Sequence, residues 1–213
     1  MNLRPAYLLL FFSIIINAQA PELTAEEIAM ADKLDVDQKV LLMLRGASQA
    51  EFIGVEADEI LGLPAIAMRM NHFDAPTVVK DLQTRLLFEG YVLFQSDQGD
   101  TSNDGLHEIR LLKTNDPLSP IRYMQTSAVE PALSNDAIFE KIEDWHGRYG
   151  LIIMGAGPKW IKAKVAIPLE DTVTFAKQLL EFCPKLKSFY GTEADITSML
   201  KEMPNLELDW NTY

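Results

Sequence analysis

The sequence predicts an α+β protein: a single domain built on a mixed β-sheet with helices packed against it, preceded by a short helical N-terminal segment. Three observations lead there. Short apolar or alternating runs of strand length recur between amphipathic helical stripes, and strand pairs flanked by helices occur twice, around residues 52–94 and 151–183. A chain of 213 residues with 48% hydrophobic and 23% charged content has the composition of a folded globular protein that can bury a proper core.

The first 20 residues stand apart. Arg4 makes a short positive region, Leu8 to Ile16 are apolar except for Ser13, and Ala18-Gln19-Ala20 is the small-x-small pattern that signal peptidase accepts. Residues 1–20 are therefore expected to be a cleaved secretory signal, and the protein to be exported, to a periplasm or beyond the cell. The apolar run is too short to span a bilayer and no second one follows, so no membrane span is expected after cleavage.

Residues 21–48 read as helical. Thr24 with Glu27, and Asp35 with Gln38, are spaced as capping boxes, and the second helix runs through Val40, Leu41 and Leu44 to Gly46. Residues 49–213 then form the α+β domain. Strands are expected at 52–57 and 65–70, and Asp74 is placed to cap a helix ending at Gly90. A strand at 91–94 pairs across the polar loop 96–105 with one at 106–113, and 116–128 reads as a loop with a helical turn. Ser134 caps a helix with Ile138, Ile142, Trp145 and Tyr149 on one stripe, ended by Gly150. A strand at 151–154, a turn at 155–158 and a strand at 159–167 follow. Helices are expected at 169–183, stopped by Pro184, and from about Thr192; Leu206, Leu208 and Trp210 alternate as a last strand.

In this C-terminal half Trp145 is followed by Tyr149-Gly150, then by Phe182-Cys183-Pro184, then by Trp210 near the end. That order and spacing resembles the family known as domain of unknown function 4253, and the likeness spans residues 72–210, including 90–113, Asp116 and Thr126. The family often has Asp where this chain has Lys185, and often ends in paired tryptophans and Asp where this chain has Asp209-Trp210-Asn211. The resemblance implies a fold and a domain extent, and no activity.

Charge narrows the partners. The net charge of −12 becomes −13 without Arg4, and such an excess opposes nucleic acid and anionic lipid, which are bound by clustered Lys and Arg. Cys183 is the only cysteine, which excludes an intramolecular disulfide. Lying between Phe182 and Pro184 at a helix C-terminus, it lacks the helix N-terminal field that lowers a thiol pKa, so burial is expected in preference to nucleophilic work. His72, His107 and His146 are scattered, with no second ligand at helical spacing, and are expected to be ordinary polar or surface side chains. Gly155-Ala156-Gly157-Pro158 leads into a strand, whereas phosphate cradles lead into a helix, so it reads as a hairpin turn. No Gly-x-Ser-x-Gly is present.

Two further features carry weaker signals. Asp100, Ser102 and Asp104, with Gly105, hold the first, third, fifth and sixth positions of a calcium loop; Glu108 falls at the ninth, and the twelfth is Leu111 in place of a bidentate Glu. These three residues are the only candidate metal ligands, and calcium is expected to bind weakly or not at all. Trp160, Lys162 and Lys164 share one strand face, which a helix is expected to cover.

No cofactor motif is present, and none is expected. The residues point to a non-enzymatic domain that binds a protein or a small molecule. The other reading is an exported hydrolase whose site is assembled from distant residues, which would bring two or more of Lys113, Asp116, Arg122, His146 and Glu181 together in one cavity.

Overall fold

The computed structural model describes residues 21–57, 61–97, 105–202 and 205–211. Its elements, in order, are α1 (Ala25–Lys33), α2 (Gln38–Ala47), β1 (Phe52–Val55), β2 (Ala65–Met70), α3 (Asp74–Phe88), β3 (Tyr91–Asp97), β4 (His107–Lys113), α4 (Ser119–Tyr123), α5 (Asn135–Tyr149), β5 (Leu151–Gly157), β6 (Trp160–Val165), α6 (Thr172–Phe182), α7 (Leu186–Tyr190), α8 (Glu193–Glu202) and β7 (Asn205–Asp209). The α+β class, with helices beside one mixed sheet and a helical N-terminal segment, is what the sequence predicts.

The strands lie in the order β1-β2-β4-β3-β5-β6-β7. Every neighbouring pair is antiparallel except β3 and β5, which run parallel. The sheet is thus two antiparallel halves joined at one parallel seam. The buried Gln83 of α3 stitches that seam: its amide nitrogen donates to the carbonyl of Leu93 on β3 at 3.2 Å and also to that of Ile153 on β5. A parallel pair with little ladder of its own gains two hydrogen bonds from one side chain.

Alternation along the strands sends side chains to two cores. On one face Ile66, Met68, Leu93, Ile109 and Leu111 pack against Leu41 and Leu44 of α2 and Val78, Val79 and Leu86 of α3. On the other face Phe94, Leu112, Ile153, Ile161, Ala163 and Leu208 pack against residues of α4 to α8. Of β5, β6 and β7, only Met154 joins the first core. The N-terminal helices therefore cover one half of their face, and Lys164, Asn205 and Glu207 on the other half are exposed.

Several local expectations change. Thr24 and Glu27 form the expected capping box, but α2 is capped by Asp37, whose carboxylate accepts from Lys39 N at 2.8 Å. Asp35 instead turns the chain at φ 53° and pairs with Lys113. Asn71, not Asp74, opens α3, its side-chain oxygen accepting from Phe73 N and Asp74 N at 3.0 Å each. β5 continues through Gly157, so the hairpin turn is Pro158-Lys159 and the glycines belong to the strand. Ile167 lies beyond the end of β6 and is 50% exposed. The short α7 between Pro184 and α8 was not foreseen. Gly150 ends α5 at φ 62°, the left-handed conformation in which glycine carries no Cβ penalty.

Candidate functional site

The rare residues of the C-terminal half form one aromatic cluster. Trp145 is fully buried, edge-on to Phe175 at 5.3 Å and to Phe182 at 5.1 Å between centroids, and Phe182 is edge-on to Trp210 at 5.5 Å. Tyr149 stacks on Phe175 at 4.6 Å from a partly buried position. The indole nitrogens are satisfied: Trp145 donates to Gln178 Oε1 and Trp210 to the carbonyl of Phe182. T-shaped contacts of this kind add to area burial, so packing accounts for these residues.

Cys183 lies inside that core, its thiol donating to the carbonyl of Asp209 at 3.4 Å. Burial pushes its pKa above the ordinary thiol value. A native thiol that keeps its proton where the unfolded chain ionises makes folding stability fall as pH rises past the ordinary thiol pKa of about 8.5. A thiol reagent should accordingly label Cys183 only after denaturation; rapid native labelling would show that the cluster opens.

The residues that a dispersed catalytic site would need stay apart. Lys113 pairs with Asp35, and Arg122 pairs with Asp136 and stacks over Phe139. Asp116 accepts from Leu118 N at 2.9 Å, His146 Nδ1 donates to the carbonyl of Leu151 at 2.6 Å, and Glu181 is exposed. Only Lys113 lines a described cavity, a broad depression of about 580 Å³ over Asp35, Asp37, Glu89, Tyr91 and Asn115. Lys113 is paired with Asp35 and Glu89 with Lys39, ion pairs open to water that contribute little.

A different set of residues comes together at the seam. β3 carries a bulge between Gln95 and Asp97, and β5 carries one between Ile153 and Gly155. The two sit at the same level, since Gln95 of β3 pairs with Gly155 of β5. Each inserts one extra residue, Ser96 and Met154, and a bulge re-aims the side chains around it. β3 pairs with β4 on one side of the seam and β5 with β6 on the other, and a crevice lies at the carboxyl ends of the parallel pair. It encloses about 150 Å³ and is lined by His72, Pro76 and Val79 from the start of α3, Gln95, His107, Met154 and Lys162.

Its polar groups are held in place. The Gln95 amide nitrogen donates to the carbonyl of Asp97 at 3.0 Å and to His107 Nδ1 at 2.7 Å. A carbonyl can only accept, which fixes the amide's orientation; Nδ1 therefore accepts, and the neutral His107 ring carries its proton on Nε2. His72 stands 6.1 Å from His107 between ring centroids, so two histidines that look scattered in the sequence share one site. Lys162 reaches Glu207 at 3.5 Å and stands 5.6 Å over the Trp160 ring.

Trp160 is only 6% exposed, yet it belongs to neither large core. The expected covering helix is not its support. Its indole lies across the backbone of Gly157 and Gly155 on the neighbouring strand: a Cβ at Gly157 would fall 2.1 Å from the indole nitrogen, and one at Gly155 would fall 2.8 Å from the ring. The glycines make a floor for the ring, over which the Lys162 ammonium stands. Lys164 on the same face is exposed.

The candidate calcium ligands Asp100, Ser102 and Asp104 lie outside the described residues, as does the segment 1–20. Among the described residues no group of three or more His, Cys, Asp or Glu side chains is placed to hold a metal ion. Sequence reading passed over Gln95, Met154, Pro76 and Val79, which carry no chemical signature until the bulges and α3 bring them together.

Fold and site define an α+β domain with an aromatic core on one face of its sheet and a small crevice at the parallel seam. Residues 108–211 match the profile of domain of unknown function 4253, and the chain carries a domain of that family there. The matched segment holds the aromatic cluster together with Met154 and Lys162, while His72, Pro76, Val79, Gln95 and His107 precede it. No curated protein and no solved structure matches the chain. No helix among the described residues is long and apolar enough to cross a membrane.

Proposed function

We propose that this chain is an exported acidic domain that binds a small molecule in the crevice at the β3/β5 seam and catalyses nothing by itself. The observation that carries the reading is the pair of bulges at one level on adjacent parallel strands, which aim Met154 and Gln95 into a pocket already bounded by α3. Pockets of this composition, apolar walls with a few convergent polar groups, are typical ligand sites. Against a hydrolase stands the chemistry of the candidates: Cys183 is packed away, His146 is bonded to a backbone carbonyl, and the described residues lining the crevice include no hydroxyl, thiol or carboxylate nucleophile.

Ligand-observed NMR with a mixture of neutral, cationic and anionic fragments tests this. Binders should be found for the intact protein and lost in Met154→Trp, which fills the crevice. An absence of binders, or binders indifferent to Met154→Trp, would refute it. Export rests on residues 1–20, with cleavage after Ala20. Intact mass of the secreted protein should begin at Pro21, and a secreted species retaining Met1 would count against cleavage.

A further inference from the structure

We infer that the ligand class of this crevice is a small monocarboxylate with a short apolar tail or ring, its carboxylate on Lys162 and its apolar part against Pro76, Val79 and Met154. The inference rests on the crevice being the ligand site and adds which ligand fits it.

Charge is the first argument. The chain has 31 Asp and Glu against 19 Lys and Arg, yet none of the seven described residues lining the crevice is acidic. Among the polar side chains of the lining, Lys162 presents an ammonium and the tautomer set by Gln95 makes His107 Nε2 a donor, while both N–H groups of Gln95 are committed to Asp97 and His107. A lining whose one charged group is an ammonium favours an acceptor of negative charge and disfavours an amine. Lys162 already has a carboxylate neighbour in Glu207, but that contact is loose at 3.5 Å and the Glu207 side chain is 47% exposed. An incoming carboxylate can take that place at little cost, because a partly solvated ion pair of this kind is weak.

Size and lining give the rest. The crevice, of about 150 Å³ and open to solvent on one side, has room for a ring or a chain of a few carbons, since a closed apolar cavity of about that volume holds a benzene ring. Pro76, Val79 and Met154 supply the apolar surface for it, Met154 being placed there by the β5 bulge. The Gly157 and Gly155 floor fixes the Trp160 ring, and the contact of the Lys162 ammonium with that ring at 5.6 Å helps to position it before the ligand arrives.

Isothermal titration of the intact protein with benzoate and butyrate, and with benzyl alcohol and 1-butanol as neutral counterparts, provides the test. At least one acid should bind, its alcohol should bind roughly 10- to 100-fold more weakly, and Lys162→Met should weaken the acid by a similar factor while Lys162→Arg retains it. Lys162 is partly exposed, so Lys162→Met should melt like the wild type, and its melting curve is recorded alongside. Equal binding of acid and alcohol, or failure of both acids to bind, overturns the carboxylate class. In either case, fragments that still bind in a Met154-dependent way would leave the crevice as a ligand site, whereas their absence would remove both readings.

Discussion

Trp145→Ala should destabilise the fold by about 3–5 kcal/mol, the largest effect expected of any single truncation in this chain. The ring is fully buried among Phe175, Phe182 and Ile142, and its indole nitrogen is satisfied by Gln178, so its removal leaves both a cavity and an orphaned amide oxygen. The melting temperature should fall on the order of 10 °C, given the usual relation between stability and melting for a domain of this size. Trp145→Phe keeps most of the packing and should cost clearly less. If Trp145→Ala melted within a degree or two of the wild type, the aromatic cluster would not be the centre of the core.

Gly157→Ala should have the second largest effect. A methyl group there would sit 2.1 Å from the Trp160 indole nitrogen, and a rigid ring on a strand cannot give way as the end of a flexible side chain can. The indole must leave its floor, at a cost of about 1–3 kcal/mol typical of overpacking, and its fluorescence should shift to the red as it meets water. The same displacement removes the ring contact of the Lys162 ammonium, so crevice ligands should weaken in Gly157→Ala even under conditions where the fold is intact. A variant with unchanged stability and emission would mean that the ring does not rest on these glycines.

Much of the frame can be read from local pattern. Caps at Thr24 and Ser134, the stops at Gly90, Gly150 and Pro184, and the alternation of Leu206, Leu208 and Trp210 are short-range signals, and the structure follows each of them closely. Burial of Cys183 was legible for the same reason, since its neighbours in the chain are a helix end and a proline. Asp35 misled because two acids stand near the start of α2 and spacing does not tell which one reaches the free backbone amide; Asp37 does.

The crevice was not legible, and the physical reason is register. His72 and His107 are separated by α3, β3 and the loop before β4, and only the β2-β4-β3 strand order brings them together. A bulge adds one residue to a strand without disturbing its apolar character, so Met154 looks like any core position. Gly155-Ala156-Gly157 looked like a turn because glycine favours turns, whereas its use here follows from Trp160 standing opposite Gly157 in the ladder. The departures from the family pattern also meet only in three dimensions: Lys185 pairs with Asp209 at 3.1 Å and donates to the carbonyl of Asn211 at 2.6 Å. The residue that replaces an acid in one segment is thus matched by an acid in the other.

The central claim is that ligands enter at the β3/β5 seam on the face of α3. Nine methionines give a methyl spectrum sparse enough to assign by single Met→Leu substitutions, with reporters on both sides of the sheet. Met154 lines the crevice, and Met124 and Met199 pack against the core on the opposite face. On titration with a bound fragment, the Met154 methyl should shift, while Met124 and Met199 stay in place. Shifts concentrated at Met124 or Met199, with Met154 unmoved, would contradict the account.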